Sequence, residues 1–375
     1  MGELAKLLTQ PTAVEPENRE TTFDGDGNYT QARVMEKQPE TPHELLEFFG
    51  HDPKAFAVDG NITIGHRELA DGRTLSRYAY KLRPAPEQVD LDDLLTQVEK
   101  AEPAEPVHAS GSGAWFVFQA GDLQLGKRAR DGGTEEIIRA FKLSVDNAVE
   151  ELLFAQDYTH IDGVQLAFVG DCMEGVVSQG GKNLWLTSET ITEQTRIFRR
   201  LLLWTVDQFR HHVPKVYLDV VNGNHDEAQR MMNTKPGDGW ATECAIAVDD
   251  AMSLNLDAYS TVEVRVPNEW SGNMTVPVGD SLVTLAHGHQ WRRGKGMTWW
   301  AEQSLNKQPA AHSSVLQHGH VHTYEIETTR DRTRISSPTF DPGSDWFREA
   351  HGGDAKVGGL TYLLLGGEIS RVSLV

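Results

Sequence analysis

The chain has 375 residues, of which 39% are hydrophobic, and a formal net charge of −20. This length permits one large domain with additions or two to three domains, and the acidic balance argues against a protein whose whole surface binds nucleic acid. Its two cysteines exclude a disulfide framework and fit a reducing compartment. Because we find neither a signal-peptide core nor an uncharged stretch of transmembrane length, we expect a cytoplasmic protein without membrane contact.

The first part of the chain predicts a tail followed by a small module. Residues 1–40 are polar, acidic and without periodicity, which predicts a disordered, mobile tail. The sequence TPHELLEFFG at 41–50 has the capping pattern of a helix. Two alternating runs then flank Asp71 and Gly72, which predicts a hairpin. Residues 41–84 are therefore predicted to form an α+β module.

The remainder predicts a linker and one large α/β domain. Residues 85–112 are interrupted by prolines, which predicts a linker in which LDDLLTQVEKA forms a helix. From residue 113 to residue 375, the apolar runs AWFVFQA, GVQLAFVG and KVYLDVV alternate with long amphipathic segments, and the last part is richer in strands. This alternation predicts a mostly parallel sheet with functional residues at the carboxyl ends of its strands.

Side chains of the kind that bind metals follow five of the predicted strands. They are Asp122 and Gln124, then Asp171, then Asn224, His225 and Asp226, then His287 and His289, and finally His318, His320 and His322. Each group alone is weak, because a Gly-Asp pair is usually a turn and a histidine at a strand end is usually hydrogen-bonded or exposed. The paired ligands in GNHD and GHVH are more specific, and the whole set predicts a metal centre.

The chemistry of these side chains suits two divalent ions. Two ions about 3.5–4 Å apart can bind the oxygens of a phosphate and neutralise developing charge. The Asp171 carboxylate suits the position between the ions, and Asn224 adds a neutral oxygen. We predict that His225 protonates a leaving oxygen while Asp226 fixes its tautomer.

The order of motifs GD-x-Q, GD, GNHD, HGH and GHVH resembles the calcineurin-like metallophosphoesterases over residues 114–375, and it looks like members encoded by bacteriophages. The resemblance implies an α/β fold, a four-layered α/β sandwich with a dinuclear metal centre. It implies that Asp122, Gln124, Asp171 and His322 hold one ion, that Asp171, Asn224, His287 and His320 hold the other, and that His225 and Asp226 are catalytic.

Gln124 departs from the family, which usually has histidine at this position. An amide oxygen is a weaker ligand than imidazole, and oxygen ligands favour Mn²⁺ or Mg²⁺ over Zn²⁺. We therefore expect a labile first ion and two divalent cofactor ions, with Mn²⁺ favoured and Mg²⁺, Zn²⁺ or Fe as alternatives.

Two basic segments are candidates for substrate contact. GKRARDGG carries Arg128, and HGHQWRRGKGMTWW carries Arg292, Arg293 and Lys295 among tryptophans. Cations suit backbone phosphates and aromatic rings suit stacked bases. The alternative is a solvated loop followed by a helix whose tryptophans pack inward. Glu174, in GDCMEG, either supports the site or is a surface acid.

The sequence favours phosphodiesters as substrates. GNHD with GHVH is similar to the nuclease and phosphodiesterase branches, whereas protein phosphatases typically have GNHE and GD-x-x-D-R-G, which GDCMEGVV does not match. We expect a DNA exonuclease or endonuclease, located in the host cytoplasm if phage-encoded, with a protein partner bound through the N-terminal module. The alternatives are a phosphodiesterase for a small molecule such as a cyclic nucleotide, and a non-catalytic metal-binding scaffold.

Overall fold

The computed structural model divides the chain into two compact units, residues 1–88 and residues 89–375. The residues that the structure describes are 18–23, 28–34, 39, 41–53, 55–69, 72–84, 91–105, 107–111, 113–129, 131–176, 187–228, 235–343, 348–349, 352–353 and 355–375. Within these ranges, every helix is too short or too polar to span a membrane.

The first unit contains a four-stranded antiparallel sheet in the order β1-β2-β4-β3. Its elements are β1 (Asn18–Phe23), β2 (Asn28–Val34), helix α1 (Pro42–Phe48), β3 (Phe56–Glu68) and β4 (Thr74–Pro84). The Thr41 side chain accepts a hydrogen bond from the backbone N–H of Glu44 and so caps α1. Leu45 of this helix shares a buried cluster with Tyr78 and Tyr80 of β4.

Residues 18–23 and 28–34 form strands, which contradicts the predicted mobile tail for these residues. β1 pairs with β2, and β2 pairs with β4 from Asn28 opposite Lys81 to Val34 opposite Leu75. Because β2 joins the sheet through a strand far along the chain, the polar composition of a short window does not reveal these strands. Residues 1–17 of the predicted tail lie outside the described residues.

The second unit is built on a six-stranded sheet in the order β15-β14-β5-β6-β7-β8. Its strands are β5 (Ala114–Ala120), β6 (Ile161–Phe168), β7 (Val216–Val220), β8 (Val262–Arg265), β14 (Leu360–Leu365) and β15 (Glu368–Leu374). β5 to β8 are parallel, whereas β14 and β15 run antiparallel at the other edge. β5 and β6, in the middle of the sheet, are mostly apolar and buried along their whole length, as expected of strands that are covered on both faces.

Helices cover one face of this sheet. They are α2 (Leu91–Lys100), α3 (Thr134–Gln156), α4 (Ile191–Phe209), α5 (Trp240–Met252) and the short α6 (Leu256–Tyr259), which follows a 3₁₀ turn at Ser253–Asn255. Helices α2 to α5 share a large buried core with β5, β6 and β7. The helix predicted in the linker is α2, and because Leu94 and Val98 are buried in this core, it belongs to the domain and not to a linker.

A second sheet of five strands covers the other face, in the order β12-β13-β11-β10-β9. Its elements are β9 (Asn273–Val278), β10 (Ser281–Ala286), helix α7 (Gly296–Leu305), a 3₁₀ turn at Pro309–His312, β11 (Val315–His318), β12 (Glu325–Thr328) and β13 (Thr333–Ser336). Val117 and Val283 belong to the apolar cluster between the two sheets, and Trp300 of α7 packs on the outside of the second sheet. Helix, sheet, sheet and helix confirm the predicted four-layered sandwich.

The carboxyl ends of the strands meet at one edge of this sandwich. Ala120, Phe168 and Val220, the last residues of β5, β6 and β7, are partners in register. β10 and β11 are also parallel neighbours in the second sheet. The turns that follow these five strands are therefore brought together, although they are far apart in the sequence.

Candidate metal centre

The turns after five parallel strands supply the residues of the centre. Asp122 follows β5, Asp171 follows β6, Asn224 follows β7, His287 follows β10, and His320 and His322 follow β11. Asp122, Asp171 and His287 are at most 2% exposed. A buried cluster of carboxylates and imidazoles is costly unless its members are paired or bind a cation, because each loses contact with water.

The backbone is unusual at the same positions. Among the described residues, seven non-glycine residues have positive φ, and five of them are predicted metal ligands: Asp122 (54°), Gln124 (49°), Asp171 (49°), His320 (70°) and His322 (54°). Such a conformation costs of order 1–3 kcal/mol and persists only where the surrounding structure enforces it. Its concentration here supports a functional role for these turns.

Two glycines allow the turns to approach one another. A Cβ atom on Gly223 would lie 2.1 Å from Asp171 Oδ1, and one on Gly319 would lie 2.5 Å from Asp122 Oδ2. No larger side chain fits either position without moving the carboxylate. The glycines of GNHD and GHVH are therefore required by the close packing of the centre.

One half of the centre consists of Asp171, Asn224, His287 and His320, and we call it the Asp171 half. Ligand atoms of Asp171, His287 and His320 all lie within 4.8 Å of one another, and His287 Nε2 is 3.0 Å from Asp171 Oδ2. His287 Nδ1 lies 2.8 Å from the Val169 carbonyl oxygen. A carbonyl only accepts, so Nδ1 carries the proton and Nε2 faces the centre. The side-chain oxygen of Asn224 is buried in the adjacent turn.

The other half consists of Asp122, Gln124 and His322, and we call it the Asp122 half. His322 Nε2 lies 3.2 Å from Asp122 Oδ1, and the backbone N–H of His320 donates to Asp122 Oδ2 at 2.8 Å. The two halves meet at His287, whose Nε2 lies 3.0 Å from Asp171 Oδ2 and 3.9 Å from Asp122 Oδ1.

Two buried atoms of the centre indicate that it suits a cation. Asp122 Oδ1 and His287 Nε2 lie 3.9 Å apart. Asp122 Oδ1 is also 3.2 Å from His322 Nε2, and His287 Nε2 is 3.0 Å from Asp171 Oδ2, but in the described part of the chain neither contact has hydrogen-bond geometry. A buried polar atom without a hydrogen bond is costly and calls for an explanation. Carboxylate oxygens and imidazole nitrogens are ligands of divalent metals. The residues present therefore fit metal ions.

The side-chain oxygen of Gln124 is already hydrogen-bonded to a lysine. It accepts a hydrogen bond of 2.9 Å from Lys127 Nζ, and Lys127 also forms an ion pair with Asp341. Gln124 and Asp341 are buried, at 3% and 4% exposure. The atom predicted to bind the first ion is thus already bound to an ammonium group.

The ring of His225 lies between the centre and Glu174. Its Nδ1 is 3.0 Å from the backbone oxygen of Glu174 and 3.3 Å from the carboxylate Oε2, while its Nε2 is 3.9 Å from Asp171 Oδ2. The backbone N–H of His225 donates to Asp171 Oδ1 at 2.7 Å. Nδ1 is therefore held and Nε2 faces the centre. Glu174 is 2% exposed, so it supports the site and is not a surface acid.

Asp226 has a different role from the predicted one. Its carboxylate accepts the backbone N–H of Gly223 at 2.7 Å and of Met173 at 3.0 Å. Both oxygens are therefore used to shape the turn, and the prediction that Asp226 orients the ring of His225 is wrong. Burial and the Asp171 charge raise the pKa of Asp226 to about 6.

The Asp171 carboxylate helps to raise the pKa of two histidines. Burial, the largest single effect, lowers the pKa of His225 and of His287. Asp171 together with Glu174 outweighs it for His225, and Asp171 together with Asp122 and the Val169 carbonyl outweighs it for His287, so the pKa rises to about 9 in both. Burial, with the charge of His287, lowers the pKa of His320 to about 4. His320 is therefore a neutral imidazole at pH 7, as a metal ligand must be.

His318 and His289 lie beside the centre. His318 is fully buried, its Nδ1 lies 2.9 Å from the Gly319 oxygen, and its Nε2 lies 2.9 Å from a nitrogen of Arg334. Burial lowers the pKa of His318 to about 3, so it is a neutral packing residue. His289 is exposed, with its ring 5.5 Å from the ring of His287.

The predicted substrate-contact residues are on the surface. Arg128, Arg292, Arg293 and Lys295 are all exposed, and Arg293 lies 3.4 Å from Glu325. Trp291 and Trp300 are buried in one cluster and are not available for base stacking, and Trp299 packs partly buried against the same cluster. The alternative of a helix whose tryptophans pack inward is therefore correct for Trp300 and in part for Trp299.

A cavity of about 190 Å³ lies next to the Asp171 half. Gly223 and His289 line it on the side of the centre, and Lys235 and Asp238 are also among its lining residues. Lys235 pairs with Glu269 at 2.7 Å. Lys235 and Asp238 did not stand out in the sequence, because neither is part of a motif.

Comparison of the sequence with models of protein families gave no match, and comparison with curated proteins also gave none. Solved structures do match. A phosphoesterase from E. coli, Yfce, is 13% identical, with 69% of this chain and 98% of that chain covered and a TM-score of 0.30. An archaeal phosphodiesterase is 11% identical, with 69% and 99% covered and a TM-score of 0.30.

Vps29 from Entamoeba histolytica, in complex with Zn²⁺, is 14% identical, with 69% and 98% covered and a TM-score of 0.30. At these identities and TM-scores the matches carry no argument about activity. The four layers of helices and sheets define the fold. The close approach of Asp122, Asp171, His287 and His320 defines the metal centre.

Proposed function

We propose that this protein is a metal-dependent phosphoesterase that hydrolyses phosphodiester bonds. The observation that supports it best is the meeting of Asp122, Asp171 and His287 at one buried point, where carboxylate oxygens and imidazole nitrogens lie 3.0–3.9 Å apart without hydrogen-bond geometry at Asp122 Oδ1 and His287 Nε2. Divalent ions bound there supply positive charge that stabilises a phosphate group under attack.

His225 is proposed to donate a proton to the leaving oxygen. Its Nε2 faces the centre 3.9 Å from Asp171 Oδ2, and its Nδ1 is held by Glu174. A donor must be protonated before the bond breaks, and a pKa of about 9 keeps the ring protonated at pH 7 in the metal-free protein. Asp171 and Glu174 together therefore favour the proton on His225 in the metal-free protein.

DNA is the proposed substrate. Three exposed cations in one segment, Arg292, Arg293 and Lys295, lie within a few residues of His287, and exposed cations suit contacts with backbone phosphates. The formal charge of −20 on the whole chain means that such contacts must be local.

The second candidate is a small phosphodiester of the cyclic nucleotide type. The cavity of about 190 Å³ beside the Asp171 half supports it. Pockets for drug-sized ligands are usually about 300–1,000 Å³, so this cavity would receive only part of a nucleotide.

Two assays test the proposal. Metal-free protein is given Mn²⁺ or EDTA with bis-p-nitrophenyl phosphate and with p-nitrophenyl phosphate, and then with labelled single- and double-stranded DNA over a series of salt concentrations. We expect Mn²⁺-dependent cleavage of the diester and of DNA, with DNA cleavage falling steeply as salt rises. Asp171→Asn is the variant expected to be inactive.

The other outcomes separate the alternatives. Cleavage of the diester with DNA intact would support the small-molecule candidate. A protein that binds metal but cleaves neither diester nor monoester would contradict the proposal and leave the scaffold alternative.

A further inference from the structure

We infer that the two halves of the centre bind their ions with unequal affinity, because Lys127 occupies the one oxygen that Gln124 could offer to the ion of the Asp122 half. This inference rests on the proposed metal centre. It assigns to the Lys127–Asp341 ion pair the role of weakening one metal position.

The side-chain oxygen of Gln124 accepts a hydrogen bond of 2.9 Å from Lys127 Nζ. An ammonium and a divalent ion on the same oxygen would lie only a few ångströms apart, and their like charges repel. While Lys127 keeps this position, Gln124 is a poor ligand for an ion.

Lys127 is held by its ion pair with Asp341. The side chain of Lys127 is 13% exposed, and that of Asp341 is 3% exposed. Asp341 in turn accepts the backbone N–H of Gly343 at 3.1 Å. Moving Lys127 away would leave a buried carboxylate without its cation, which is strongly unfavourable.

The segment that carries Asp341 is also hydrogen-bonded to the backbone of Asp122. The hydroxyl of Thr339 donates to the backbone oxygen of Asp122 at 2.8 Å, and the backbone N–H of Phe340 donates to the same oxygen at 3.1 Å. Thr339 also accepts the backbone N–H of Asp341 at 3.0 Å. The segment that carries Asp341 is thus fixed to the residue that begins the Asp122 half, so the ion pair cannot move independently of it.

Among the described residues, no lysine or arginine forms a hydrogen bond or ion pair with the side chains of Asp171, His287 and His320. These three bring their ligand atoms within 4.8 Å, and Val169 holds His287 so that Nε2 faces the centre. In the Asp122 half, Asp122 and the partly exposed His322 remain when Gln124 is occupied. We therefore expect one tightly bound ion and one ion that binds only at higher metal concentration.

Calorimetric titration of the metal-free protein with Mn²⁺ tests this inference, supported by metal analysis after gel filtration. We expect about one Mn²⁺ retained per chain and a second that binds at least tenfold more weakly. Two ions of equal affinity would overturn the inference.

Three variants locate the cause. Gln124→Ala should leave the weaker affinity unchanged within about twofold, since Gln124 contributes no ligand, whereas a tenfold loss would contradict the inference. The double variant Lys127→Met/Asp341→Asn removes both charges of the ion pair and should strengthen the weaker position at least tenfold, whereas no change would contradict it. Lys142→Met, on the exposed face of α3, is the matched control and should change neither affinity.

Hydrolysis of bis-p-nitrophenyl phosphate, measured in parallel, separates this inference from the proposed function. Two unequal ions without any hydrolysis would support the inference and contradict the function. Hydrolysis by a protein that binds two ions with equal affinity would support the function and contradict the inference. A protein that binds no Mn²⁺ would contradict both.

Discussion

His225 Nδ1 lies 3.0 Å from the backbone oxygen of Glu174 and 3.3 Å from its carboxylate, while the adjacent Asp226 turns away to bind backbone N–H groups. The residue that orients the proposed proton donor therefore comes from the turn after β6, and not from the turn after β7 that carries the histidine itself. The sequence does not show whether Glu174 or Asp226 orients the ring of His225, and these contacts assign that role to Glu174.

The two acids should respond differently to neutral substitution. Glu174→Gln should lower kcat about 10-fold with metal content unchanged, since it removes one partner of the His225 ring but leaves the backbone oxygen. Asp226→Asn should lower the free energy of unfolding by about 1–3 kcal/mol, because its amide cannot accept both backbone N–H groups. Urea unfolding and steady-state kinetics measure the two effects, and the reverse pattern would return the orienting role to Asp226.

His225→Ala tests the proposed proton donor. We expect metal content to be retained and turnover of DNA to fall about 10²–10⁴-fold, the usual contribution of general acid catalysis. The fall should be smaller for bis-p-nitrophenyl phosphate, because nitrophenolate leaves without a proton. His322→Ala is the comparison and should lose metal. Loss of metal from the His225 variant would show that it is a ligand.

Asp171→Asn should abolish metal binding and change two histidines at once. The charge of Asp171 is the largest of the effects that raise the pKa of His225 and of His287 to about 9. Its removal should therefore lower both pKa values, while Glu174 still raises that of His225 and Asp122 that of His287. NMR titration of the metal-free variant should show both histidines titrating below pH 9. An unchanged pKa of about 9 in either histidine would mean that another group holds its proton.

Metal binding should release protons. In the metal-free protein, His287 has a pKa of about 9 and is protonated at pH 7, whereas a ligating imidazole must be neutral. Mn²⁺ affinity should therefore increase as pH rises from 6.5 to 9 and then level off. Calorimetry in buffers of different ionisation enthalpy counts the protons, and a pH-independent affinity would exclude His287 as a ligand.

The raised pKa of His287 predicts how the stability of the metal-free protein depends on pH. A histidine whose pKa is raised on folding stabilises the protein fully below pH 6.5 and loses that contribution as pH rises through 9. Thermal unfolding of metal-free protein at pH 6 and pH 9 should show this loss, and added Mn²⁺ should reduce it. His287→Gln is the control in which the loss should become smaller.

Sequence reasoning succeeded where the signal is local. The alternation of apolar runs with amphipathic segments in residues 113–375 predicted the parallel strands, because buried parallel strands are continuously apolar. It failed for β1 and β2, because their own composition is polar and because β2, on which β1 pairs, joins the sheet only through the distant β4, with Asn28 opposite Lys81. It also placed α2 in a linker, since the burial of Leu94 and Val98 depends on helices that come later in the chain.

For the centre, the sequence by itself determined which turns carry carboxylate and imidazole groups, because the end of an apolar strand and the residues that follow it are adjacent in the chain. The tertiary structure alone decided what each side chain contacts. Glu174 rather than Asp226 holds His225, and Lys127 takes the oxygen of Gln124. Hydrogen bonds form between atoms within about 3 Å. Pairing of β6 with β7 brings Glu174 to His225, and Asp341, far along the chain, holds Lys127 beside Gln124.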